Sequence, residues 1–298
     1  MRLLGTALAL ALALAMTAGG AAWAQPVRNL PAGRIGEWTP QRQPRVVTFR
    51  SGTTILTFRK SPGSGEDGTQ PALTVAMRGF QPVTLQGADT YPTMAHRVAV
   101  GRWSRGTPFI FFQSFSGGAH CCTSIQIVYP DAGRLRVVDL GQWDGDYASQ
   151  VPKDEDGDGR VDFLQVDNRF LYTFSSYAGS FAPPQILNVV GGEVVDVSTK
   201  PSFRRLFEAT AREARAGCAT TSPDRNGACA GYVAASARLG RFDAAWADMM
   251  RHYDRETMGP SACRVPQGEE GCPEGQEVEQ TFPVGLRAFL QEHGYIPR

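Results

Sequence analysis

Thr123-Ser124-Ile125-Gln126-Ile127-Val128-Tyr129 and Leu135-Arg136-Val137-Val138-Asp139-Leu140, joined through Asp131-Ala132-Gly133, decide how this chain folds. Both runs are short and rich in β-branched residues. The Asp-Ala-Gly between them supplies residues that accept positive φ, so the pair reads as two antiparallel strands and a turn. The same grammar extends in both directions from this hairpin. Upstream it predicts strands at 46–50, 53–58, 73–77, 83–85, 97–100 and 109–114; downstream it predicts them at 161–166, 171–175, 185–190 and 194–197, with Gly191-Gly192 as another turn. Strands this short, broken by Gly, Pro and Asp, indicate a mainly β fold, an antiparallel meander arranged as propeller-blade-like units or as a sandwich.

Two stretches run in loosely similar order. Phe109-Ile110-Phe111-Phe112, a glycine-rich link, 125–129, a turn and 135–140 have a counterpart in Phe163-Leu164, the segment to Gln185, 186–190, a turn and 194–197. A spacing of about 55 residues favours the blade-like version, in which each unit has four strands. Residues 59–70, rich in Ser, Gly and Pro, read as a loop.

After Lys200 the period changes. Phe203, Leu206, Phe207 and Ala211 fall at helical spacing, as do Phe242, Ala245, Trp246, Met249 and Tyr253, and a further helix is predicted at 228–239. Thr281 before Phe282-Pro283 marks the start of a last helix, and Gly294 its end. The chain is therefore expected to divide into a β domain at 25–200 and a small α-helical subdomain at 201–298.

The first 24 residues read as a secretory signal peptide. Arg2 precedes an apolar stretch at 3–16, and Ala22-Trp23-Ala24 places small residues at the −3 and −1 positions of a cleavage site after Ala24. The apolar stretch is short of the roughly 20 residues that a spanning helix needs, and no later segment is long and apolar enough, so no transmembrane segment is expected in the mature chain. Removing residues 1–24 takes one arginine with it and leaves 29 basic against 29 acidic groups. That balance argues against nucleic acid or a polybasic membrane contact as the partner. The expected location is periplasmic or secreted.

Six cysteines in an exported chain favour disulfides, although six allow 15 pairings. Proximity suggests Cys218 with Cys229 and Cys263 with Cys272, which leaves Cys121 for its neighbour Cys122. Adjacent α-carbons lie about 3.8 Å apart, below the usual disulfide range, so that last ring is expected to be strained. Zinc is the competing reading, but the sequence has no Cys-x-x-Cys and no regular Cys/His set.

Asp154-Glu155-Asp156-Gly157-Asp158-Gly159-Arg160-Val161-Asp162 carries the clearest chemistry. Calcium takes six to eight hard oxygen ligands, and carboxylates at alternate positions of a tight loop converge on one point. The expected Ca²⁺ ligands are the side chains of Asp154, Asp156, Asp158 and Asp162 and the carbonyl of Arg160, with Gly159 permitting the sharp turn. Asp-Gly pairs also make plain solvated turns, but five acids in nine residues repel one another by about 1 to 4 kcal/mol per pair at 4 Å, which disfavours a folded loop without a cation. An EF-hand would place a bidentate glutamate at its twelfth position, where this chain has Gln165, and the residues that follow read as strand. The loop thus resembles the calcium loops of FG-GAP and VCBS repeats over some 20 residues, a resemblance that implies cation binding and a scaffold role.

Ser116-Gly117-Gly118-Ala119-His120-Cys121-Cys122-Thr123 is the second singular stretch. Its glycines permit a close backbone approach, and His120 could lower a thiol pKa, but a rigid disulfide kink is the simpler reading. Trp143-Asp144-Gly145-Asp146-Tyr147 sets aromatics beside carboxylates, so His120, Trp143, Asp144 and Asp146 form a possible ligand surface. His96, His252 and His293 are isolated. No recognisable catalytic or nucleotide-binding motif is present, and no catalytic residue is assigned.

Residues 116–123, 138–146, the loop through Phe170-Leu171-Tyr172, 231–255 and 282–295 together are similar to a group of uncharacterised exported proteobacterial proteins. The expected function is that of an exported, calcium-binding, non-catalytic binding or scaffold protein of the cell envelope, whose partner is an envelope protein or a glycan. The alternative is a periplasmic enzyme, working by thiol-disulfide redox at Cys121 and Cys122 or as a hydrolase with acids near Asp146.

Overall fold

The computed structural model describes residues 27–62, 69–103, 106–118, 121–144, 150–265 and 271–298, with the backbone alone for Pro62, Cys121 and Cys122. The signal segment, His120, Asp146 and the expected Cys121 to Cys122 bond lie outside the described residues.

Three sheets are stacked and helices cover the last of them. The first sheet holds β1 (Val27–Asn29), β3 (Val46–Ser51), β4 (Thr54–Pro62), β5 (Thr69–Met77) and β6 (Val83–Gln86), adjacent in that order and antiparallel except where β1 pairs with β3. The second runs β10 (Arg134–Asp144), β9 (Cys121–Asp131), β8 (Pro108–Phe115), β7 (His96–Arg102) and β2 (Ile35–Trp38), antiparallel throughout. The third is the meander β11 (Phe163–Val166), β12 (Pro184–Val190) and β13 (Glu193–Asp196).

Period-two alternation in β8 explains the stacking. Ile110 and Phe112 point to one face, where they join Phe49, Leu56, Phe58 and Leu73 of the first sheet; Phe109 and Phe111 point to the other, where they meet Phe163 and Leu187 of the third. The second sheet is thus a middle layer buried on both faces, which is why Phe109-Ile110-Phe111-Phe112 is apolar without a break. Each fully buried side chain of this size contributes about 1.5 to 3 kcal/mol. A bulge between Asp139 and Gln142, with Gly141 at φ 80°, inserts the extra residue that keeps Trp143 on the same face as Leu140.

Beyond the third sheet the chain is helical: α1 (Arg204–Cys218), α2 (Arg225–Arg238), α3 (Phe242–Met249) and α4 (Phe282–Glu292), with a small β14 (Ala262–Cys263) and β15 (Glu277–Val278) between the last two. Ile186 of β12 points to them and packs with Phe203, Phe207, Ala211, Ala235 and Leu239. Cys218 bonds to Cys229 and Cys263 to Cys272, as proximity suggested. Among the described residues no helix is long and apolar enough to cross a membrane.

The fold is mainly β with a C-terminal helical region, as expected, and several details differ. Residues 171–175 are not a strand: a 3-10 turn at Asn168–Phe170 is followed by Tyr172 at φ 61°, and Phe170 and Phe174 pack four residues apart onto Phe289. The two similar stretches are not four-stranded blades, because β8 to β10 continue into β7 and β2 while β11 to β13 stop at three strands. Residues 59–62 and 69–70, expected in a loop, instead belong to β4 and β5, and 63–68 lie outside the described residues. Thr281 precedes α4 in extended conformation, but its side chain makes no cap hydrogen bond.

Candidate metal centre

The acidic loop is pinned at its far end by burial. Val161 and Phe163 are fully buried between the second and third sheets, so Asp162 between them is drawn to 1% exposure. A carboxylate so placed needs partners. Its Oδ1 accepts from Nδ2 of Asn188 at 2.7 Å, its Oδ2 from the amide of Glu155 at 2.8 Å, and its own amide donates to the Lys153 carbonyl at 2.9 Å. Asn188 is itself fully buried on β12 and also donates to the Val161 carbonyl.

From that anchor the backbone coils around its own side chains. Gly157 and Gly159 take φ of 77° and 87°, a conformation that side-chain-bearing residues adopt at a cost, and this turns successive amides inward. Asp154 accepts from the amides of Gly157 at 2.7 Å and Gly159 at 2.8 Å; Asp156 accepts from the amide of Asp158 at 3.1 Å, and Asp158 from that of Arg160 at 2.8 Å. Each carboxylate oxygen can accept more than one bond, so these amides orient the acids without exhausting them.

The outcome is a group of three acids. Asp154, Asp156 and Asp162 each bring a carboxylate oxygen within 4.8 Å of the other two. Asp158, expected with them, lies outside this group, and Nζ of Lys200 donates to its Oδ2 at 2.6 Å. The same ammonium reaches Oδ2 of Asp156 at 3.0 Å, where Oγ of Ser202 also donates at 2.9 Å, and it lies 3.5 Å from Oδ1 of Asn188. Partial burial alone would raise the Asp156 pKa, but the hydrogen bonds from Lys200, the Asp158 amide and Ser202 outweigh it and hold that carboxyl below its usual range. Burial pulls the Lys200 ammonium down while Asp158 and Asp156 push it up further, so it stays charged at higher pH than a free lysine.

An all-oxygen set with several carboxylates suits a hard divalent cation such as calcium, and offers no imidazole or thiolate to a softer metal. Asn188, Lys200 and Ser202 belong to this centre and were not anticipated from sequence. They lie 26 to 46 residues beyond the acids they bind, and nothing in a lone Asn, Lys or Ser marks it as a partner.

Of the remaining candidates that the structure describes, Trp143, Asp144 and Cys121 lie at neighbouring positions of β10 and β9. Trp143 packs against Phe111 in the core, donates from Nε1 to the Leu140 carbonyl, and lines a cavity of about 280 Å³ together with Glu155 and Asp162. Asp144 accepts from the Tyr177 hydroxyl at 2.9 and 3.0 Å. Cys121 opens β9 opposite Asp144 on β10. His96 is fully buried and bonds Ser114 at 3.1 Å; His252 and His293 lie in the helical region.

Residues 207–294 match the sll0997 C-terminal domain family. The probable thylakoid lumen protein sll0997 of Synechocystis sp. is 32% identical over 249 residues, which cover 81% of this chain and 72% of that protein. The uncharacterised protein y4bJ of Sinorhizobium fredii is 36% identical over 192 residues, 63% of this chain but 30% of that protein's length. No solved structure matches. Since the similarity to the Synechocystis protein extends over both the sheets and the helices, the chain belongs to the sll0997 family.

Proposed function

We propose that this protein is an exported, non-catalytic scaffold that binds one calcium ion in the loop 154–162 and presents its surface to an envelope or lumen protein, or to a glycan. The observation that carries the reading is the approach of Asp154, Asp156 and Asp162 to within 4.8 Å, in a loop whose amides hold the carboxylates in place. The strand that follows the loop supports a hairpin-borne calcium site over a helical EF-hand. Export is supported by the charged, apolar and small-residue pattern of residues 1–24, by two disulfides, and by the lumenal name of the Synechocystis relative. The scaffold role is supported by the engagement of the loop's acids with amides, Asn188 and Lys200, an arrangement that fixes structure and sets up no nucleophile with a base.

Titration calorimetry of the purified chain tests it. Calcium chloride is expected to give a saturable heat with one ion per chain, and magnesium a weaker response, because the smaller ion demands near-ideal octahedral geometry. Absence of any calcium heat at millimolar concentration would overturn the proposal.

A further inference from the structure

We propose that Lys200 is the affinity-setting residue of the acidic loop: its ammonium is a built-in cation that calcium must displace. The inference rests on the calcium reading above and adds a prediction of its own. Two observations carry it. The loop 154–162 contains five acids and one base, so its charge calls for cations in the folded state. One cation is already there, since Nζ of Lys200 contacts Oδ2 of Asp156, a member of the three-acid group, at 3.0 Å and Oδ2 of Asp158 at 2.6 Å.

Calcium ligands sit at about 2.3 to 2.6 Å from the ion, so the metal and the ammonium cannot share those oxygens without close repulsion. The lysine side chain keeps about a quarter of its surface exposed, and its four-carbon stem has rotamers that carry the ammonium away from the loop. Asp158, now drawn to Lys200, is then free to complete the cage. Lys200 immediately precedes the turn Pro201–Phe203 that leads into α1, and Ser202 in that turn also holds Asp156. Ion uptake therefore exchanges contacts between the loop and the start of the helical region, and the protein's calcium affinity is the loop's intrinsic affinity lowered by this internal competitor.

The test compares calcium titrations of the full chain with its Lys200→Met, Lys200→Gln and Lys200→Arg variants, each with a melting curve in chelator. The neutral variants are expected to bind calcium roughly tenfold more tightly than the parent, the scale on which one displaced partly exposed charge acts. They are also expected to melt at lower temperature than the parent in chelator yet to gain more on adding calcium. Lys200→Arg, which keeps the charge, should stay near parental affinity. Parental or weaker affinity in both neutral variants overturns this inference and leaves the calcium reading standing. No calcium heat in the parent or in either neutral variant overturns the calcium reading and this inference with it.

Discussion

Phe109 to Phe112 in the middle sheet and the loop 154–162 just ahead of Phe163 meet in one core cluster through Phe109, Phe111 and Val161, yet owe most of their order to different physics. The first is ordered by removing apolar surface from water on both faces of the middle sheet. The second, beyond its buried end at Val161, is ordered by satisfying carboxylates one at a time, with amides, Asn188 and Lys200. The difference predicts how each region responds to change: the aromatic run should be sensitive to volume and indifferent to ions, and the loop should be sensitive to ions and pH and tolerant of small volume changes.

Volume in the middle sheet gives the largest expected effect. Phe111, stacked on Phe163 and tilted against Trp143, is fully buried, so Phe111→Ala should destabilise by about 3 to 5 kcal/mol in denaturant unfolding. A loss below about 1 kcal/mol would mean that the sheet is not packed on both faces.

Introducing charge into the same layer comes next. His96 on β7 is fully buried beside Trp38 and Ser114, and burial pulls its pKa from 6.5 down to about 4. The folded state thus resists the proton that the unfolded chain accepts. Stability from this group is complete above pH 6.5, falls as pH drops toward 4, and is then lower by about 3 kcal/mol. The slope over that window should flatten in His96→Gln; an unchanged slope would assign it to other groups.

In the loop, Asp162→Ala should cost about 1 to 3 kcal/mol, because it strands the buried Nδ2 of Asn188 and the Glu155 amide, and it should abolish calcium uptake. Asp162→Asn, nearly isosteric, should keep more stability than Asp162→Ala while still weakening calcium. A melting temperature equal to the parent's in both variants would show that the anchor carries no weight.

The contrast also explains what could be read from the sequence. Burial patterns are local, so the strands from Val46 to Asp196 and all four helices were legible, including the hairpin at Asp131 and the helix after Thr281. The strands that escaped notice are three- and four-residue edges, β1 and β2, whose run Ile35-Gly36-Glu37-Trp38 carries too few apolar residues to show a period, and the two-residue β14 and β15. Residues 171–175 misled because aromatics two apart imitate a strand, while the contacts that form are those of Phe170 and Phe174 with Phe289. At the site the acids were legible because a tight loop needs them close in sequence. Asn188 and Lys200 were not, since they reach the loop only through the pairing of β12 with β11 and the turn into α1.

The most direct test of the central claim is the melting temperature of the full chain in chelator and in millimolar calcium, beside a variant carrying Asp156→Ala and Asp158→Ala. Calcium at about 100 times its dissociation constant stabilises a folded state by roughly 2.7 kcal/mol, so the parent should melt several degrees higher with calcium and the variant should not move. A parent that melts at one temperature in both solutions would contradict the account.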